Sequence, residues 1–361
     1  MPSRSLVALV MLPGLPAQPA DARQTLKKSI WGPVRVDGVS QFPIYRDLGA
    51  GIYEMGLTWD TIAPTRPARA ADPADPAYRW PPEVADAIRE AARHGMRVSL
   101  LVQGAPPWAN GGRTRRWAPR RPRDFARFVT AASRRYPQVR HWMIWGEPTK
   151  SRNFQPLFPE RRDRPLTRRM RRGPHTYARL LYAAYGALKR TSRRNLVIGG
   201  NTYTTGNVSP LNWIKNLRLP NGRVPRMDMY GHNPFSAREP DLRRGPLGHG
   251  FVDFCTLDTM ARWIDRYLGR PGGRRLKLFL SEFSVPTDHI GHEGNFYVSR
   301  RTAARWVSSA LRITRRWSRI YTFGWIGLYD EPPNGQGDEQ NRGLLDYRGR
   351  RKPAYEAYKR G

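Results

Sequence analysis

Two glutamates close apolar stretches that are otherwise suited to burial. Val139-Arg-His-Trp-Met-Ile-Trp-Gly-Glu-Pro148 runs into Glu147 and is stopped by Pro148, and Leu276-Lys-Leu-Phe-Leu-Ser-Glu-Phe283 runs into Glu282. Charge at the end of a buried strand is costly, because desolvation disfavours the ionised carboxyl and raises its pKa. Two such residues in one pocket suit retaining glycoside hydrolysis. One carboxylate attacks the anomeric carbon, and the other protonates the leaving oxygen and later activates water, at a separation of about 5–5.5 Å. Repulsion and partial burial keep one of the two protonated near neutral pH. A lone glutamate of this kind is more often a satisfied structural carboxylate; the pair is what points to chemistry.

The elements that must bring them together alternate regularly. Strands are expected at Ser29–Val34, Ile52–Trp59, Met96–Gln103, the stretch ending at Glu147, Leu196–Gly200, Arg226–His232, the stretch ending at Glu282, and Tyr321–Tyr329. Helices are expected at Phe42–Leu48, Pro82–His94, Pro122–Tyr136, His175–Thr191, Pro210–Leu217, Leu257–Leu268, Thr302–Ile313 and Pro353–Lys359. Apolar residues recur at helical spacing in these, and Gly49 and Gly95 stand as C-terminal stops. Many strands are continuous apolar runs, as expected where both faces are covered. Eight strands alternating with eight helices predict a single-domain α/β chain, a closed (β/α)8 TIM barrel over residues 30–361. An open doubly wound sheet is the alternative, but Ser29-Ile-Trp-Gly-Pro-Val34 lacks the Gly-rich phosphate turn such a sheet often carries. In a barrel, the ends of strands four and seven share one mouth.

Composition sets the outer limits. The 361 residues include 63 Lys and Arg against 29 Asp and Glu, a net charge of +34. Nucleic acid, an anionic membrane surface or an acidic polymer are the partner classes this charge raises, against the plainer reading of an Arg-rich solvated surface. No helix-turn-helix, RRM or zinc-finger spacing accompanies it, so no specific nucleic-acid recognition is expected. The single Cys255 excludes an intramolecular disulfide and reads as structural. The seven His are scattered, so neither a metal nor a cofactor is expected. No run of 18 apolar residues is present, so no transmembrane span is expected. Residues 1–22, with Arg4, an apolar run from Leu6 to Leu15 and Ala20-Asp-Ala22, read as a secretory signal peptide. The expectation is a secreted or cell-surface monomer.

The motifs resemble the clan A superfamily of retaining glycosidases, the cellulase-like and xylosidase-like (β/α)8 enzymes. Trp142-Met-Ile-Trp-Gly-Glu-Pro148 is similar to that family's Trp-x-x-Trp-Asn-Glu-Pro, and Leu280-Ser-Glu-Phe283 to its nucleophile strand. Pro106-Pro-Trp108, Tyr230-Gly-His-Asn-Pro-Phe235, Gly343-Leu-Leu-Asp346 and Lys352-Pro-Ala-Tyr355 fall in the matching order. The resemblance implies Glu147 as acid/base, Glu282 as nucleophile and an oligosaccharide or polysaccharide as substrate. Two positions depart from it. Gly146 replaces the Asn that contacts the sugar 2-hydroxyl, a contact that strengthens in the transition state. Glu54 stands where an Arg often supports the nucleophile. Asn201 or Gln103 are the expected substitutes for the missing amide. The departures also leave open a catalytically impaired glycan-binding barrel.

Other mouth residues follow from type and position. Trp325, Trp108 and Trp145 offer flat rings for stacking on sugar C–H faces, and Tyr230 and His232 are expected to donate hydrogen bonds to the nucleophile. Two basic runs, Arg113-Thr-Arg-Arg116 through Arg120-Arg-Pro-Arg123 and Arg161-Arg-Asp-Arg164 through Arg168-Arg-Met-Arg-Arg172, are placed on loops at the same face. Arginine binds carboxylate and sulfate-like groups bidentately, so the sharper expectation is an acidic glycan.

Overall fold

Eight short stretches, most of them buried on both faces, pair side by side in parallel. They are β1 Thr25–Trp31, β2 Ala50–Thr58, β3 Arg97–Gln103, β4 His141–Ile144, β5 Leu196–Tyr203, β6 Met229–Asn233, β7 Lys277–Phe283 and β8 Ile320–Ile326. Each pairs with its successor, and β8 pairs back onto β1, so the sheet closes into a barrel. The computed structural model describes residues 24–161, 164–271, 273–292 and 295–361. The leader-like residues 1–22, and Arg162 and Asp163 in the second basic run, lie outside the described residues.

The helices that cover the barrel are α1 Phe42–Asp47, α2 Pro82–Arg93, α3 Pro122–Arg135, α4 Arg172–Thr191, α5 Pro210–Asn216, α6 Leu257–Tyr267, α7 Arg300–Arg316 and α8 Pro353–Arg360. Their buried faces follow the helical spacing: Val84, Ala87 and Ala91 on α2, where the expected Ile88 is only partly buried, Phe125, Phe128, Val129 and Ala132 on α3, and Tyr177, Leu180, Leu181, Ala184 and Leu188 on α4. Gly95 follows α2 with φ +70°, the left-handed conformation that ends a helix at low cost in glycine. The main core fills the space between helices and strands. A second cluster, Ile52, Leu101, Met143, Ile198, Met229 and Phe279, fills the bore with one residue from each of six strands. The bore is thus a packed layer rather than a pore.

One boundary differs informatively from expectation. β1 begins at Thr25, four residues before the expected Ser29. Two lysines make Thr25-Leu-Lys-Lys28 look like surface, yet Lys28 is buried on the outer side of the barrel. Its ammonium donates to the carbonyls of Leu48 (3.0 Å), Tyr358 (2.8 Å) and Lys359 (3.0 Å). The last two belong to the C-terminal turn of α8, where free carbonyls favour a cation. Cys255 is buried, with its thiol donating to the Glu239 carbonyl at 3.2 Å. No described helix is long and apolar enough to cross a membrane.

Candidate active site

The two glutamates reach the C-terminal mouth by different irregularities. β4 stops at Ile144, so Glu147 stands on a turn beyond the strand. Trp145 (φ +63°) and Glu147 (φ +42°) both take left-handed conformations in that turn. Non-glycine residues pay for such conformations in strain, and sites of this kind persist where surrounding contacts over-determine them. The contacts are present: Asn201, itself at φ +45°, donates its amide to the carbonyls of Ile144 (3.2 Å) and Trp145 (2.8 Å). The Trp145 indole donates to the Asn153 carbonyl at 2.9 Å.

On β7 the device is a bulge. Leu280 pairs with Phe323 and Phe283 with Trp325, so three steps of β7 span two of β8. Phe279, Leu280 and Phe283 keep their alternation, while Ser281 and Glu282 are both left facing the interior. Ser281 points down the bore and accepts the Trp31 indole N–H at 3.1 Å; Glu282 faces the mouth. Re-aiming a side chain beside a site is a recurrent use of a bulge.

A cavity of about 530 Å³ at the mouth is lined by Glu147, Glu282, Lys150, Tyr203, Phe296 and Arg342, among others. The Asn233 amide donates to Glu147 Oε1 at 3.1 Å, and its presence beside Glu282 favours that group's ionised form. Glu147 Oε2 accepts from Asn153 at 3.1 Å and forms an ion pair with Lys150 at 2.8 Å. The Lys150 ammonium also lies 3.2 Å from the Tyr203 ring centroid. Burial, with the charge of Glu147 adding to it, pushes Glu282 up to about 8; Lys150, Arg342 and the Asn233 amide oppose this and lose.

Glu54 does not replace the expected arginine in function. It is wholly buried in the bore and accepts the Ser281 hydroxyl at 2.8 Å. Burial, with Glu282 adding to it, pushes it up to about 8 as well. Gly324 on β8 makes room for it: a Cβ there would lie 2.7 Å from Glu54 Oε1 and 1.9 Å from the Ser281 carbonyl oxygen. The cations near Glu282 instead come from across the cavity, on Lys150 and Arg342.

Several expected site residues lie elsewhere. Trp325 is 1% exposed, turned to the outer face of β8 against Phe283 and Tyr358, with its N–H on the Gly327 carbonyl. Strand alternation puts Ile326 into the cavity in its place. His232 is buried with both ring nitrogens engaged, by Thr202 (2.8 Å) and the Val252 carbonyl (3.0 Å), and burial lowers it to about 4. Tyr230 is buried against Gly200 on the same outer side. Neither lines the cavity; Asn233, one step beyond His232, is the β6 residue that reaches the carboxyls. Trp108 packs edge-on to Trp59 and donates to the Ala63 carbonyl at 2.8 Å, outside the cavity. Trp145 is buried between Phe125 and Phe154, touching only a neighbouring cavity. Asn201 positions the turn under Glu147 rather than lining the cavity.

Gln103 does stand beside Gly146. A Cβ on Gly146 would lie 2.9 Å from Gln103 Oε1 and 3.1 Å from Leu101 Cδ2, so the β3 side chain occupies the space that an asparagine at this position would need. Gly146→Asn alone is expected to cost about 1–3 kcal/mol by overpacking. Adding Gln103→Ala should recover most of that cost in denaturant unfolding. Additive costs in the two variants would mean that the residues do not share the space.

Of the two basic runs, among the described residues the first comes nearest the site. Arg115 and Arg116 line a cavity adjoining the mouth, whereas Arg113 stacks on Trp117 at 4.1 Å. In the second run Arg169 and Arg172 lie over the Phe158 ring at 4.5 and 5.8 Å. Sequence reasoning misses Lys150, Asn153, Asn233 and Arg342. Asn233 and Arg342 lie in or beside the quoted motifs, and Lys150 and Asn153 follow Glu147 within six residues.

No protein-family model and no curated protein matches the chain. Among solved structures it is similar to a family 39 glycoside hydrolase from the gut symbiont Bacteroides cellulosilyticus WH2, at 15% identity and TM-score 0.67. That match covers 95% of this chain and 64% of the other. It is also similar to a glucosidase from Croceicoccus marinus (16%, TM-score 0.62, 94% of this chain and 65% of that). A monomeric beta-xylosidase from Caulobacter crescentus CB15 matches at 16% and TM-score 0.60, over 94% of this chain and 68% of that. The chain spans less than two thirds of the first two. What these likenesses show is the architecture: the chain has a (β/α)8 barrel fold like that of these glycoside hydrolases.

Proposed function

We propose that the chain is a retaining O-glycoside hydrolase acting on an oligosaccharide or polysaccharide, with Glu282 as nucleophile and Glu147 as acid/base. The observation that carries this reading is that Glu147 and Glu282 line one cavity, the Asn233 amide bonded to the first and the charge of the first acting on the second. A charge on Glu147 that raises Glu282 directly suits the ~5–5.5 Å separation of the covalent route better than the ~6.5–9.5 Å needed to admit a water between carboxyls. In the first step Glu282 bonds to the anomeric carbon while Glu147 gives its proton to the departing oxygen, which leaves as an alcohol. In the second, Glu147 takes a proton from water, the resulting oxygen attacks the anomeric carbon, and Glu282 is released as carboxylate. A leader at residues 1–22 fits an enzyme that meets its polymer outside the cell.

In the free cavity the proton rests on Glu282, since burial and Glu147 raise that group to about 8. Catalysis needs the other arrangement, with Glu147 protonated and Glu282 ionised. Both are forms of one singly protonated pair, so the active fraction is steady while the pair keeps its proton and vanishes when it is lost. The raised group holds its proton below about pH 8 and releases it above. The expected result is a kcat/KM for aryl glycosides that falls as pH rises past about 8; a profile flat to about pH 10 would contradict it. A 2-fluoro sugar that traps the glycosyl-enzyme should label the peptide containing Glu282, and a label on any other carboxylate would reject the assignment.

The Lys150 ion pair on Glu147 favours a second reading, because a glycosidic oxygen must compete with an ammonium for Oε2. On that reading the barrel binds glycans without cleaving them. Oligosaccharide binding without hydrolysis across a broad panel of aryl glycosides and polysaccharides would decide for it.

A further inference from the structure

A second cavity, of about 410 Å³, adjoins the first and shares Arg152 and Asn153 with it. Both volumes fall within the roughly 300–1,000 Å³ of ligand pockets. The second is lined also by Gln103, Thr114, Arg115, Arg116 and Trp145. It borders Glu147 through Asn153, whose amide bonds Oε2, but it does not include Glu282. A sugar held there lies on the acid's side of the bond to be cleaved.

The arginines of this cavity sit on a braced frame. The Arg115 carbonyl accepts the Ala105 N–H at 2.8 Å, and the Arg116 carbonyl accepts the Gln155 N–H at 2.8 Å. Ala118 N–H returns to the Gln155 carbonyl at 2.8 Å, so the loops after β3 and β4 are stitched together across the cavity. Asn110 holds the Thr114 carbonyl at 3.1 Å. Among the described residues no carboxylate pairs with Arg116 or Arg152, and Asp60 stands 4.0 Å from Arg115, beyond hydrogen-bond length. Three arginines thus line one cavity with no acid in its lining. An anionic group entering it would have forked donors within the reach of three arginine side chains, whereas a neutral sugar would leave the charge uncompensated.

We propose that this cavity is a subsite for an anionic sugar, carboxylated or sulfated, on the leaving-group side of Glu147, read by Arg115, Arg116 and Arg152. The side assigned to it rests on the hydrolase reading; the preference for an anion does not. The test is calorimetric titration of the full chain with two series of oligosaccharides. Oligogalacturonides are compared with their carboxyl-reduced counterparts, and carrageenan oligosaccharides with their desulfated counterparts. At least one anionic series should bind about ten-fold or more tightly than its neutral partner, and which one does identifies the anion. In Arg115→Gln/Arg116→Gln, and separately in Arg152→Gln, that ratio should fall towards one. Arg193→Gln/Arg194→Gln, in the loop before β5 at the other end of the barrel, removes the same charge as the double variant and should keep the ratio. No preference in either series, an unchanged ratio in the cavity variants, or an equal fall in the distal variant would each overturn the proposal. The expected ratios without hydrolysis of any glycoside would leave the subsite standing and remove the hydrolase reading. Hydrolysis of neutral glycosides with no anion preference would do the reverse.

Discussion

On the proposed route, Glu282→Ala is expected to lower kcat on aryl glycosides by about 10⁴-fold or more, with added azide restoring part of the loss as inverted product. The carboxylate supplied by β7 is the only group in the proposed route that bonds to the sugar, and removing a covalent participant costs losses of this order. The space it leaves can admit a small anion, which displaces the aglycone once and so inverts the anomeric centre. Glu147→Ala should behave differently. Glycosylation with a good leaving group needs little acid help, so the glycosyl-enzyme accumulates and its hydrolysis slows. Azide then attacks that intermediate, and two displacements give a retained product. Product configuration by NMR separates the two carboxyls without assuming which is which. Retained azide from Glu282→Ala with inverted azide from Glu147→Ala would exchange their roles. That outcome has a physical rationale, since the free cavity keeps its proton on Glu282 and a cation on Glu147.

Glu54→Gln is expected to stabilise the fold at about pH 8.5 by a few kcal/mol, and by little at about pH 4. An exposed glutamate ionises near 4.5, whereas burial holds Glu54 protonated up to about 8. Between those values the unfolded chain gives up a proton that the folded chain retains. Stability therefore falls as pH rises through this window and levels off above it. Glutamine has the same shape, can still accept the Ser281 hydroxyl, and has no proton to lose. The gap between variant and parent should open between pH 4.5 and about 8 and appear as several degrees in Tm. An equal gap at both ends of the range would mean that packing rather than ionisation separates them. Glu282 contributes in the same direction, so the parent chain should be most heat-resistant on the acid side of neutrality.

The barrel is legible in the sequence because its signals are local. Continuous apolar runs mark strands buried on both faces, and stripes at helical spacing mark the covering helices; the structure adds shifts of a few residues, such as Lys28 drawn inward by three carbonyls, and short pieces such as the pair Arg35–Val36 with Val39–Ser40 and the helical turns Trp59–Ile62 and Pro107–Asn110. The positions of Glu147 and Glu282 near the ends of β4 and β7 are legible for the same reason. Their surroundings are not. A two-residue alternation carried along β8 says nothing of the register shifts against β7, so Trp325 is expected at the mouth and lies behind it. Chemical type favours His232 over Asn233, although the neighbour one step along is the one that faces the carboxyls. Lys150 and Asn153 come within reach of Glu147 because the turn between them and β4 uses left-handed backbone, which no pattern of side-chain types discloses. The basic loops are visible as composition. Only the cross-loop hydrogen bonds separate Arg115 and Arg116, which face a cavity, from Arg169 and Arg172, which lie over a phenyl ring.

Because one carboxamide is bonded to Glu147 and lies beside Glu282, the Asn233 side chain is a natural reporter group. Its nitrogen takes part in no bond that forms or breaks, yet the shielding of its two protons depends on which neighbour carries charge. Isotopic labelling of that amide would let a spectrometer follow the traffic of a single hydrogen between Glu147 and Glu282 as a sugar arrives, without altering either acid.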